Sequence, residues 1–231
     1  MHIKLLLLIF CIAVVSFSAC KKNNDAPVVS TSIDSLNFVN ASAQPFNIYL
    51  NGSRLINNSN LSIGGSSGYY TVPSGQQTYQ VKKVFDPAGG VVTTLVNLPL
   101  NLTAHHYYSL FIPDDSASHA FTTIDTLRAD TTAGTCLVRF VNASPASGSL
   151  DLSIGGVQYS NQAFKSVSGF SVVDTSSMSP IIINQSGTAT QLINGHYPLL
   201  EGYIYTFYAK GSPNGTGNSA LSVGVTVNGH P

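Results

Sequence analysis

The feature that most narrows the fold is a duplication. Phe38-Val39-Asn40-Ala41-Ser42 returns letter for letter as Phe140-Val141-Asn142-Ala143-Ser144, 102 residues later. Looser agreement continues in the same order. Phe46 to Gly52 aligns with Leu150 to Gly156, Gly68 to Val72 with Gly169 to Val173, His106 to Leu110 with Tyr203 to Phe207, and His119 to Thr126 with Ala220 to Val227. One five-residue identity is within reach of chance; four further blocks in register are not. The chain therefore reads as two homologous units, each of about 95 residues.

Each unit carries roughly seven strand candidates, with turn residues every 8–12 positions. Alternation of apolar and polar residues is plain in Phe46 to Leu50, in Thr78 to Val81 and in Leu221 to Val225. This period of two sets one face of a strand on a core and the other toward water. Asn51-Gly52 and Gly155-Gly156 suit the positive φ of tight hairpin turns. Pro113 to Ser118 and Ser212 to Ser219 occupy equivalent places and read as longer hairpin loops. The repeated Asn-Ala-Ser fits an Asx-turn, in which the Asn side chain folds back onto the backbone two residues on. The expected fold is all-β: two tandem immunoglobulin-like antiparallel β-sandwiches, over residues 35–130 and 131–231.

The amino-terminal segment has a different character. Lys4 precedes eleven unbroken apolar residues, Leu5 to Val15, and then the small and polar Ser16-Phe17-Ser18-Ala19. That order describes a cleaved signal peptide over residues 1–19. A retained membrane helix is the competing reading, but eleven residues fall short of the roughly 18–20 needed to cross a bilayer. Phe17-Ser18-Ala19-Cys20 resembles a bacterial lipobox, with Phe17 in place of the usual leucine. The resemblance implies that Cys20 is the lipid attachment site, anchoring the chain through acyl chains buried at about 0.8 kcal/mol per methylene. Residues 20–34 are then a polar tether.

Composition excludes several functions. Charged residues are 9% of the chain, against about 25% in ordinary soluble proteins, and the net charge is zero. No basic stripe is present to neutralise phosphates, so nucleic acid is not an expected partner. A hydrophobic content of 43% can supply a core. After loss of Cys11 with the signal and lipidation of Cys20, Cys136 is left alone, in the apolar run Cys136-Leu137-Val138. It reads as a buried, inert thiol.

The stretch Leu137 to Gly156, a later Gly-aromatic strand, and Gly202 to Gly211 resemble the bacterial domain of unknown function 4397. In the second unit its motifs fall on Arg139 to Pro145 and Gly202 to Thr206. The first unit departs from them, with Asn37 for the Arg, Ala43 for the Pro and His105 for the Gly. The resemblance implies a β-sandwich envelope protein and brings no activity with it. The low charge, the Asn/Ser/Thr-rich surface and the Cys-Lys-Lys start are also similar to Bacteroidetes outer-membrane lipoproteins.

Signs of chemistry are sparse. Glu201 is the only glutamate, and no carboxylate spacing suggests the pair used in glycoside hydrolysis. Asp114-Asp115 lacks the alternation of a calcium loop. His105 and His106, as neighbours on a strand, would point to opposite faces, and His119, His196 and His230 are scattered. Gly64-Gly65 and Gly215-Thr216-Gly217 are turns, since no strand-to-helix junction follows them. Neither a metal nor a cofactor is expected. Tyrosines are the one hint of binding: Tyr69, Tyr107, Tyr203 and Tyr205 could stack on sugar rings or sit in a protein interface. Asp34-Ser35-Leu36, Asp115-Ser116-Ala117, Asp125-Thr126-Leu127 and Asp130-Thr131-Thr132 resemble Bacteroidetes O-glycosylation triplets. The expectation is a non-enzymatic cell-envelope lipoprotein, held to the outer membrane on its periplasmic or cell-surface side and acting as a structural or interaction module. The alternative is a glycan- or peptide-binding surface protein of an uptake or adhesion system.

Overall fold

The structure, a computed structural model, describes residues 32–56, 59–84, 92–128 and 132–230. The signal peptide, Cys20, the tether up to residue 31 and the triplet beginning at Asp130 lie outside the described residues. The chain is all-β, with no α-helix among the described residues. In the first half the strands are β1 (Ile33–Asn40), β2 (Phe46–Leu50), β3 (Ser53–Arg54), β4 (Ser66–Pro73), β5 (Gly75–Lys83), β6 (Thr94–Leu102), β7 (Tyr107–Ile112) and β8 (Phe121–Ile124). In the second they are β9 (Thr135–Asn142), β10 (Leu150–Ile154), β11 (Val157–Gln162), β12 (Ser171–Asp174), β13 (Ser176–Gln185), β14 (Gln191–Leu199), β15 (Ile204–Lys210) and β16 (Ser222–Gly229).

The first half forms sheets of order β4-β1-β7-β8 and β3-β2-β5-β6. The second forms β12-β9-β15-β16 and β11-β10-β13-β14, the same plan strand for strand. Each half holds eight strands where about seven were expected. The chain changes sheets within the run Ser66 to Lys83, at Pro73-Ser74-Gly75, where Gly75 takes a φ of 81°. Most neighbours are antiparallel, but β1 pairs with β7, and β9 with β15, in parallel. Between those partners the chain crosses to the opposite sheet and returns, so it re-enters in the direction it left.

Local chemistry sets the turns. Asn51 and Gly52 have φ of 51° and 79°, Gly155 and Gly156 of 54° and 81°, and each pair closes a two-residue hairpin. These positive angles match the twist of the flanking strands. Tyr108 Oη accepts the Thr103 N–H at 3.2 Å, and Tyr205 Oη accepts that of Leu200 at 3.1 Å. Both are tyrosine corners, a device of immunoglobulin-like sandwiches.

Two cores lie between the paired sheets, one around Phe38, Ile48, Tyr79 and Leu110, the other around Phe140, Leu152, Ile183 and Phe207. A third cluster, Val39, Ala41, Phe111, Val141, Ala143 and Tyr208, joins the halves. It forms because the β1–β7 face of one sandwich packs on the β9–β15 face of the other. These four strands are buried on both sides, with every residue of β15 buried. β1 begins at Ile33, and Asp34 is buried, so the last two residues of the expected tether belong to the sheet.

Candidate functional site

The polar residues of the joined faces build one hydrogen-bonded network. Asp125, just after β8, accepts Thr123 Oγ1 at 2.8 Å on Oδ1, and Ser109 Oγ at 2.6 Å and Tyr69 Oη at 2.7 Å on Oδ2. Arg139 of β9 reaches across and donates from Nη2 to Asp125 Oδ1, a buried ion pair with both side chains almost fully covered. Its Nε donates to Thr206 Oγ1 at 2.8 Å and its Nη1 to the Ile124 carbonyl at 3.2 Å. Phe170 lies under the guanidinium, 4.7 Å from ring centroid to Cζ. Thr206 Oγ1 donates to Asn228 Oδ1 at 2.5 Å, and Asn228 Nδ2 donates to Tyr69 Oη at 2.9 Å, which closes the circuit.

Burial of charge is costly unless each charge is paired and hydrogen-bonded. Here the carboxylate accepts from three neutral hydroxyls as well as the guanidinium, so the cost is met by geometry. Burial first, and the Asp125 charge second, push the Tyr69 phenol well above its ordinary value, so it stays a donor. On the other side of the seam Asn37 Nδ2 donates to Ser109 Oγ and to Thr226 Oγ1, both at 3.2 Å.

At one end of the seam the two Asn-Ala-Ser loops meet. Asn40 Oδ1 accepts the Ser42 N–H at 2.9 Å while its Nδ2 donates to the Gln44 and Leu61 carbonyls. Asn142 Oδ1 accepts the Ser144 N–H at 3.0 Å, and its Nδ2 donates to the Gly148 and Gln162 carbonyls. Both form the Asx-turn that Asn supports in this context, and both bolt a loop to a neighbouring strand. The loops flank an open cleft of about 510 Å³, completed by Pro113, Asp114 and Asp115 on one side and Gly211, Ser212 and Ser219 on the other. Asp114 is engaged: its Oδ2 pairs with His119 Nδ1 at 2.6 Å, and its Oδ1 accepts the Ser116 N–H. Lys165 Nζ donates to the Ser118 carbonyl at 2.5 Å, tying the β7–β8 loop to the second sandwich. The cleft thus offers hydroxyls, carbonyls and the exposed Asp115 to a ligand rich in hydrogen-bonding groups.

The four tyrosines singled out in the sequence do not form one site. Tyr205 is buried at the corner described above, so its ring belongs to the core and not to a ligand surface. Tyr203 is half-buried and stacks on it, with centroids 5.6 Å apart. The Tyr69 hydroxyl is consumed by Asp125 and Asn228. Tyr107 alone is exposed, at 44%, and meets Tyr69 edge-on. His105 and His106 precede β7 and do not sit on a strand as expected; His105 occupies a turn with φ of 65°. Two of the Asp-Ser/Thr triplets lose their surface reading, because Asp34 and Asp125 are buried. Cys136 is buried in the core of the second sandwich. Among the described residues no group of three or more His, Cys, Asp or Glu side chains is placed to hold a metal.

The Asp125–Arg139 pair was not read from the sequence. Its signal was present in Arg139, a charge within the strand Cys136-Leu137-Val138-Arg139-Phe140-Val141, where only a buried partner could hold it. No curated protein matches this chain. Among solved structures, CBMbc of family CBM26, from Eubacterium rectale Amy13K in complex with maltoheptaose, is 11% identical. That likeness covers 84% of this chain and 96% of that one, with a TM-score of 0.26, too low to bear on function. The family described as Domain of unknown function (DUF4397) matches residues 35–153, the whole first sandwich with β9 and most of β10. Spanning more than half of the sequence, this match makes the chain a member of the DUF4397 family.

Proposed function

We propose that this protein is a non-enzymatic interaction module of the cell envelope, carried on a lipidated Cys20 at the outer membrane, with the second half a further copy of the family's sandwich. The observation that carries the reading is the seam. A network from Asn37 to Asn228 makes two sandwiches one body and presents a cleft that both contribute to. Such a body suits presentation of a fixed surface, and the cleft's hydroxyls, carbonyls and carboxylate suit recognition of a polar ligand. A glycan or peptide ligand is therefore assigned to the cleft and not to the tyrosines.

The lipid anchor is tested by metabolic labelling with an alkyne fatty acid. The wild-type chain should take up label and sediment with membranes, and Cys20→Ser should do neither. A Cys20→Ser chain that stayed in membranes after a salt wash would overturn the anchor. For the cleft, the chain is screened on glycan and peptide arrays beside Asp115→Ala and Ala146→Arg. Binding that both substitutions leave intact would remove the cleft from the proposal.

A further inference from the structure

The second sandwich has an opening in its flank that the first lacks. Along β14, Ile193, Gly195 and Tyr197 share the inward face; opposite them on β16 stand Leu221, Val223 and Val225. All are half-buried, and Gly195 pairs directly with Ile181 of β13. A Cβ on Gly195 would meet nothing within 4 Å. The result is an apolar slot of about 540 Å³, which continues past the edge of β16 to Gly64.

The first sandwich shows that this opening is not a requirement of the fold. Tyr79 holds the position of Ile181, and its cross-strand partner is Leu98, which holds the position of Gly195. Tyr79 and Leu98 fill that space and are buried. On the facing strand Ala120 and Thr122 stand where the second sandwich has Val223 and Val225. One wall of the second sandwich has thus lost bulk while the other has gained apolar surface.

At the Gly64 end lies a cation. A Cβ placed on Gly64 would be 3.2 Å from Lys210 Cε. Lys210 is buried, and neither ion pair among the described residues involves it. Burial lowers its ammonium from the usual lysine range, with no acid offsetting the effect. An unpaired buried ammonium beside an apolar channel is complementary to an anionic head on an apolar chain.

We infer that the slot between β14 and β16 binds a free single-chain carboxylate amphiphile, a fatty-acid-like ligand, with its chain over Gly195 and Ile181 and its carboxylate at Lys210. The inference is independent of the anchor and of the loop-end cleft. A bound peptide would carry backbone polar groups into a channel whose inward residues are apolar, so the acyl chain is the better fit.

The test uses the full chain in its membranes and a diazirine-bearing dodecanoate, with crosslinked peptides mapped by mass spectrometry. Saturable labelling should fall within residues 193–197 and 221–225. Each added methylene in a series of competing carboxylates should strengthen competition about threefold to fourfold until the slot is filled. Lys210→Met should raise the dodecanoate needed for competition about tenfold and leave dodecanol unchanged. Gly195→Leu, which restores the side chain of the first sandwich, should abolish labelling without lowering the melting temperature. Labelling that is absent, spread over the chain or indifferent to Gly195→Leu would overturn the inference. Competition by an extended apolar peptide but not by dodecanoate, or by phosphatidylglycerol vesicles as strongly as by dodecanoate, would overturn the choice of ligand.

Discussion

Along equivalent positions of the two sandwiches, Asp34 corresponds to Cys136, Asn37 to Arg139, Tyr79 to Ile181, Leu98 to Gly195, His105 to Gly202 and Asp125 to Asn228. The backbones follow one plan, so these exchanges isolate what side chains add to it. At the seam they are paired. Arg139 meets Asp125 on one side, and the equivalent positions on the other are the neutral Asn37 and Asn228. A seam of this design accepts a first sandwich against a second and rejects either against its own copy. Two copies of the second would bury two unmatched guanidinium groups; two copies of the first would bury two unmatched carboxylates. Charge here sets which faces may join, the best-attested use of a buried ion pair.

The largest expected effect comes from breaking the charged side. Asp125→Ala leaves Arg139 buried without its counter-charge and should cost about 3–5 kcal/mol in chemical denaturation. Asn37→Ala on the neutral side should cost about 1 kcal/mol. The double substitution Asp125→Asn with Arg139→Asn copies the neutral side onto the charged one and should recover much of the loss. Equal costs for Asp125→Ala and Asn37→Ala would erase the distinction between the two sides.

Leu98 is the next lever. Leu98→Ala should cost about 2–5 kcal/mol, the range for opening a cavity in a packed core, and should create in the first sandwich an opening like that at Gly195. A cost under about 1 kcal/mol would show that Tyr79 alone fills the space.

Tyr79 should make the first sandwich sensitive to alkali. Burial, helped by the nearby Asp34 charge, pushes its phenol up to about 12 from an ordinary value of 10.0. Between those values the unfolded chain releases this proton and the folded chain keeps it. The stability contributed is therefore whole below pH 10 and is lost as pH rises through about 12. The span corresponds to a loss on the order of 2 kcal/mol. Tyr79→Phe should flatten this decline by one proton and cost little at neutral pH, since the Tyr79 hydroxyl is buried without a hydrogen-bond partner. An unchanged alkaline slope in the variant would move the sensitivity elsewhere.

The smallest effect concerns the turn before β7. His105 holds a φ of 65° where Gly202 holds 74°, a conformation that glycine adopts without a Cβ penalty. His105→Gly should raise stability by about 0.5–1 kcal/mol, read as a rise in melting temperature. A fall would mean that the imidazole makes a contact worth more than the strain.

Much of the fold was legible because it rests on short-range rules. Alternation set the strands, Asn51-Gly52 and Gly155-Gly156 set hairpins, and Asn40 and Asn142 set the loop turns. The seam was less legible because alternation assumes that one face of each strand meets water. In β1, β7, β9 and β15 neither face does, and the near-continuous apolar runs Cys136 to Val141 and Tyr203 to Ala209 carried that signature of double burial. Asp125 looked like a surface residue for the same reason: nothing local shows that Arg139 will arrive above it. The slot was invisible for another reason. Gly195 reads as a weak point in a strand, and only the pairing with Ile181, set beside Tyr79 and Leu98, turns it into a missing side chain.

The direction of β1 has a geometric consequence. The strand starts at Ile33, the second described residue, and runs to Asn40, whose loop forms the cleft. At about 3.3 Å per residue, its eight residues carry the chain roughly 25 Å from where the body begins to where its shared loops open. A chain held by any point upstream of Ile33 is gripped at one pole and works at the other. The first strand is thus a stalk built into the body, and the cleft sits at its tip.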